Sequence, residues 1–143
     1  MTQTTHEQDG ARKVEAYLVL EDARIGTLPK HFGARMMTVE HMVYNFMREF
    51  VAECKGAFWD FYELSNGGFY MAPGSDPVQF SVHTNGFEGT LSADAAGITV
   101  CLFTFSHLSF QQPSQDVFSR HFYALREFAL DHKEAGSIFA AID

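Results

Sequence analysis

The stretch FWDFYELSNGGFYMAP, Phe58–Pro73, decides how this chain is read. Six of its sixteen residues are aromatic, and a polar Ser-Asn-Gly-Gly divides it. A phosphate-cradling loop needs GxxxxGK followed by Ser or Thr, or GxGxxG, between a strand and a helix. Here a single adjacent Gly pair occurs, no lysine follows it, and Gly68–Ala72 reads as a strand. Asn66-Gly67 is instead a hairpin signal, because both residues tolerate positive φ. The stretch therefore predicts two antiparallel strands, Phe58–Leu64 and Gly68–Ala72, joined by a structural turn.

Toward the C-terminus, Val78, Phe80 and Val82 alternate with Gln79, Ser81 and His83, the pattern of a half-buried strand. Thr84-Asn85-Gly86 signals a tight turn, and Phe87–Leu91 follows as a partner strand. Four short strands with short turns predict a four-stranded antiparallel meander. Ser92 is a good helix N-cap, with Asp94 in the first turn facing the positive helix end. Ile98, Cys101, Leu102, Phe105 and Leu108 make one apolar stripe, while Val100 and Phe103 add a second side, so this helix should be buried. Pro113 and Ser114 break the chain. Val117, Phe118, Phe122, Leu125, Phe128 and Ala129 predict another amphipathic helix, with Asp116 and Arg120 spaced for a weak surface pair. A short last helix is expected over Glu134–Asp143.

Toward the N-terminus, Val39, Met42, Val43, Phe46, Met47, Phe50 and Val51 form a helical stripe, with Thr38 as the expected N-cap and Gly56 as the stop. LPKHFGARM, Leu28–Met36, carries Pro and Gly and reads as an irregular link. Val14–Leu20 is a candidate strand, and residues 1–13 are a polar tail. The expectation is a single α+β domain over residues 14–143, a four-stranded antiparallel sheet packed with three to four helices.

The chain has 143 residues, 46% of them hydrophobic, enough for one domain with its own core. Its 18 acids and 10 bases give a formal charge of −8, which argues against a basic nucleic-acid footprint. Gross imitation of DNA is disfavoured too. A mimic needs dense acidic rows, whereas here acids and bases are interspersed, and Ala95–Gln115 holds no acid at all. Cys54 and Cys101 show no CxxC spacing and fit reduced thiols. The start, MTQTTHEQDGARK, has no apolar signal core, and the longest apolar runs fall well short of a membrane span. These features point to a cytoplasmic protein, monomeric or weakly dimeric, without membrane contact.

Catalytic and cofactor signatures are missing. The seven histidines include no HExxH and no Cys-His cluster at ligand spacing, though folding can still bring a pair together. GxSxG is absent. Cys101 sits in a buried stripe, and Cys54 lies away from a helix N-terminus, so neither is poised as a nucleophile. Asp60 and Glu63, on one predicted strand, project to opposite faces. No metal or cofactor is expected. The polar helix face of His41, Asn45, Arg48 and Glu49 is either solvated or a docking surface. The alternative of a small hydrolase or nucleotide-modifying enzyme near the sheet edge would rest on Ser65, Asn66, His83 and Asp94.

HFG at His31–Gly33, YELSNGGFYMAP at Tyr62–Pro73, NGFEGTLSADAAGI at Asn85–Ile98 and AAID at Ala140–Asp143 together resemble the ArdB/KlcA antirestriction family. The resemblance runs from about Leu28 to the C-terminus. It implies a protein of plasmids or other mobile elements that protects incoming DNA from type I restriction–modification enzymes. It further implies a non-enzymatic role, a small α+β fold peculiar to the family, and no imitation of DNA. It carries over no catalytic residue. For contact with a restriction complex, the candidate residues are Asp143, Arg48, Ser65 and Asn66.

Overall fold

The aromatic stretch folds as the hairpin its turn predicts. In the computed structural model, which describes residues 13–52, 58–74 and 76–143, Trp59–Leu64 (β2) pairs antiparallel with Phe69–Pro73 (β3). The helix stop expected at Gly56, Cys54 and the tail up to residue 12 lie outside the described residues. Ala16–Leu18 (β1) adds to the outer side of β2, with Ala16 opposite Leu64. Among the described residues, Val78–Val82 (β4) and Phe87–Leu91 (β5) pair only with each other.

The α+β class is therefore as expected, but the four predicted strands do not form one meander. They divide between a three-stranded sheet, β1-β2-β3, and a two-stranded one, β4-β5. Pro73 ends β3 and Pro77 immediately precedes β4. Neither supplies the amide that a β3–β4 ladder would need. The Gly74 amide instead extends the β2 pairing, donating to the Phe58 carbonyl at 2.7 Å.

The N-terminal half is more helical than its sequence suggests. Thr27–Phe32 (α1) leads through a 3₁₀ turn at Gly33–Arg35 into Met36–Phe50 (α2). Pro29 falls in the first turn of α1, where its missing amide costs no helical bond. Gly33, at φ 55°, takes the left-handed conformation that separates α1 from α2. Thr38 is not the N-cap of α2, which starts at Met36 without a side-chain cap. The stripe itself is as expected, with Val39, Val43, Met47 and Phe50 buried.

Ala93–Gln111 (α3) is the axle of the fold. Ser92 caps it, its Oγ accepting from the Ala95 amide at 3.0 Å. Every residue from Ala95 to Leu102 is buried. By length and composition α3 could cross a membrane, but 67% of its apolar window is enclosed by the rest of the fold. Its buried hydroxyls turn back on the helix, Thr99 to the Ala95 carbonyl and Thr104 to the Val100 carbonyl, both at 2.8 Å. Around it pack α2, β3, Asp116–Leu130 (α4) and Ala135–Ile142 (α5). Phe50 joins α2 to β4 and α3, its ring centroid 5.4 Å from Phe80 and 4.8 Å from Phe103.

Gly97 sets the distance between α3 and β3. A Cβ placed there would stand 2.4 Å from Ala72 Cβ and 2.5 Å from the Met71 carbonyl oxygen. Helix propensity alone favours Gly97→Ala by about 1 kcal/mol. The contact with β3 backbone outweighs this, and the variant is expected to lose roughly 3 kcal/mol, read from the urea midpoint. A neutral or stabilised Gly97→Ala protein would show that the two backbones do not meet this closely.

Candidate functional site

The Ser-Asn-Gly-Gly turn is built from the inside. The Gly67 amide donates to the Leu64 carbonyl at 3.0 Å, and Gly67 takes φ 89°. This is a three-residue hairpin loop with glycine at the left-handed position. Asn66 Oδ1 accepts the Gly68 amide at 3.0 Å, while its Nδ2 donates to the Ala124 carbonyl and to Glu127 Oε1, both at 2.9 Å. Ser65 Oγ accepts the Glu15 amide at 2.9 Å. Both side chains are thus spent on holding the turn to α4 and β1. The second hairpin repeats the device. Asn85 Oδ1 accepts the Phe87 amide at 2.9 Å, and its Nδ2 donates to the Ala141 carbonyl at 2.7 Å.

A polar chain surrounds the N-terminus of α3. Tyr70 donates its hydroxyl to Asp94 Oδ1 at 2.6 Å, and His132 Nε2 donates to Asp94 Oδ2 at 2.9 Å. His132 Nδ1 accepts the Glu134 amide at 2.9 Å, which places the ring hydrogen on Nε2, facing Asp94. The Glu134 carboxylate accepts from both the amide and the hydroxyl of Ser92, filling the anion position at the helix end. Burial pulls the Asp94 carboxyl upward, but the hydrogen bonds from His132 and Tyr70 outweigh it and hold the group below its ordinary range. Burial, with Asp94 beside it, raises the Tyr70 hydroxyl. Ser92, Asp94 and His132 resemble a hydrolytic set in composition, yet His132 addresses Asp94 and Ser92 addresses Glu134. No nucleophile is activated by this arrangement.

The four residues of the enzymatic alternative do not converge. Ser65 and Asn66 hold the first hairpin, and Asp94 holds Tyr70 and His132. His83 lies in the β4–β5 turn beside a small recess whose other walls are Ser81, Val82, Gly86, Phe87 and Glu88. Arg48 is exposed on α2, where it donates to Asn45, and Asp143 is exposed at the end of α5. Among the described residues no three metal-ligating side chains cluster. Burial pushes the Cys101 thiol up to about 12 against the weaker pull of its contact with the Met71 carbonyl, so it is inert.

Folding does bring two histidines together, His31 of α1 and His121 of α4, with ring centroids 4.9 Å apart. His31 Nε2 donates to Glu63 Oε1 at 2.7 Å, and Lys30 Nζ lies 2.9 Å from Glu63 Oε2. Burial opposes ionisation of Glu63, but the hydrogen bonds from Lys30 and His31 prevail and hold its carboxyl low. His121 is buried against Phe32 and Phe105, and among the described residues its Nδ1 has no hydrogen-bond partner. Burial first, then His31 and Arg120, pushes the His121 imidazole down to about 4 from an ordinary value of 6.5, with Glu63 working the other way.

Because the folded value is the lower one, the unfolded chain binds the extra proton. The stability this site contributes is full above pH 6.5 and is lost as pH falls through about 4. The full difference is about 3 kcal/mol. Denaturation at about pH 7 and about pH 4.5 should show His121→Leu losing roughly 2 kcal/mol less than the parent over that interval. Equal losses in the two proteins would mean that His121 does not titrate this low.

A family model described as "Antirestriction protein" matches residues 52–143. Antirestriction protein KlcA of Escherichia coli is 42% identical over 135 residues, covering 91% of this chain and 95% of the relative. The uncharacterised protein YafX of Escherichia coli K12 is 36% identical over 152 residues, covering 99% of each. A solved structure of the KlcA and ArdB proteins superposes with a TM-score of 0.84 at 43% identity, covering 92% of this chain and 96% of that one. That work describes a novel fold and antirestriction activity against type I DNA restriction systems in vivo but not in vitro. This chain belongs to the antirestriction protein family.

Proposed function

We propose that this chain protects incoming mobile-element DNA in the cytoplasm by blocking type I restriction–modification enzymes, without catalysis and without gross imitation of DNA. The observation that carries the reading is the likeness, at 43% identity over 92% of this chain, to proteins with antirestriction activity against type I systems in vivo. Their lack of activity in vitro favours a route that needs a further cellular component over simple occlusion of the purified enzyme. The side-chain chemistry is consistent with a non-catalytic role. The Ser92, Asp94, His132 and Glu134 groups are turned on one another, and the turn residues on the scaffold.

Contact with the restriction machinery then falls to exposed groups. Arg48 on the polar face of α2 and Asp143 at the chain end are the leading contacts, with the Ser65-Asn66 turn as a lesser one. Plating of unmodified phage on a host with an active type I system tests the function, and expression of this chain should raise plating efficiency. Failure to protect sinks the reading. Arg48→Glu and deletion of Asp143 should each lower protection about tenfold, the effect of losing roughly 1.4 kcal/mol of contact. Unchanged circular dichroism would separate lost contact from lost fold, and full protection by both variants would place the surface elsewhere.

A further inference from the structure

β1 is the outer strand of its sheet, and its outer edge is apolar. The Glu15 carbonyl accepts the Ser65 amide, and the Val19 amide donates to the Phe61 carbonyl, both at 2.8 Å. Backbone groups alternate sides along a strand, so those of Ala16 and Leu18 point away from β2. Among the described residues no strand pairs with that edge. Proteins usually blunt such an edge with a very short strand, charge, proline or a bulge, and β1 uses only the first of these within its three residues. This one reads AYLVL over Ala16–Leu20, with Tyr17 53%, Leu18 52% and Leu20 69% exposed. A groove of about 450 Å³ opens beside it, walled by Tyr17, Leu20, Thr27, Lys30 and Glu63 among others.

We propose that β1 pairs antiparallel with β1 of a second copy of this chain, joining the two three-stranded sheets across a two-fold axis at Tyr17. The charge pattern KVEAYLVLE, Lys13–Glu21, is self-complementary about that residue. Centred on Tyr17, the ladder sets Ala16 opposite the partner's Leu18, so the outward backbone groups meet as hydrogen-bonded pairs. Carried past the three-residue strand to Glu21, which opens a 3₁₀ turn over Glu21–Gly26, the same register also brings Lys13 toward the partner's Glu21, twice by symmetry. Centring the ladder on Leu18 would instead oppose Glu15 to Glu21, and centring it on Ala16 would leave Lys13 facing Val19. Only the Tyr17 register matches unlike charges while burying Tyr17, Leu18 and Leu20. The proposal does not depend on the antirestriction reading, because it rests on the strand edge alone.

Sedimentation velocity of the full chain from low micromolar to millimolar concentration tests it. The parent should pass from monomer to dimer. Leu18→Lys, with circular dichroism unchanged, should stay monomeric, since it puts charge on the edge while leaving the bonds to β2 intact. Lys13→Glu should raise the dimer Kd about tenfold, because two symmetry-related pairs turn repulsive together. The double variant Lys13→Glu/Glu21→Lys should restore it. A parent that stays monomeric throughout, a dimer indifferent to Leu18→Lys, or a double variant that fails to recover would each overturn the proposal.

Discussion

The fold depends on the absence of a side chain at Gly97. α3 lies so close to β3 that a Cβ at this position would overlap Ala72 and the Met71 carbonyl. That proximity has consequences along the whole interface. It brings Cys101 Sγ within 3.6 Å of the Met71 carbonyl and places Asp94, at the helix start, under the Tyr70 hydroxyl. It also encloses α3 far enough that α2, α4 and α5 can all use it as their inner wall. A helix buried on nearly every side cannot be amphipathic. The near-uniform apolarity of ITVCLF, Ile98–Phe103, broken only by Thr99, whose hydroxyl turns back on the helix, follows from its place at the centre.

The two hairpins are fixed by one chemical device used twice. In each, an asparagine followed by a left-handed glycine closes the turn, and the same asparagine amide reaches a helix carbonyl. Asn66 ties β2-β3 to α4, and Asn85 ties β4-β5 to α5. An asparagine has both an acceptor and two donors on one planar group, so it can satisfy a local turn and a distant helix at once. This accounts for the separation into two sheets. Each hairpin is oriented by its own helix, and the prolines at the β3–β4 connection withhold the amides that would merge them.

Local patterns were legible where local chemistry decides them. The strand pairs, the Ser92 cap, the stripe of α2 and the exposed Asp116–Arg120 pair, 3.6 Å apart, all follow from spacing within a single element. What spacing could not show was contact between elements. His121 sits on the buried stripe of α4 between Phe118 and Leu125, but a histidine in that stripe gives no sign of meeting His31, ninety residues earlier in the chain. Likewise Tyr70 and Asp94 each stand in a motif singled out in the sequence, and nothing in either motif indicates that they bond each other. The Pro and Gly of Leu28–Met36 also misled, because Pro29 sits in a first turn that tolerates it and Gly33 opens only a three-residue 3₁₀ turn between two helices.

The same distinction explains why function was read from resemblance rather than from a reactive group. His31, Asn66, Tyr70, Asn85, Asp94 and Gly97 belong to the segments that carry the family likeness. Each makes an internal contact: with Glu63, with α4, with Asp94, with α5, with His132, or with β3. The wording shared with the family is thus the wording of its packing. Such residues fix a lineage and a shape, and their polar groups are spent inside the fold even where, as at Asn66 and Asn85, the residue is exposed. Exposed positions such as Arg48 of α2 and Asp143 at the chain end lie outside this packing. At such positions many side chains are compatible with the same fold, so neither periodicity nor turn chemistry constrains them.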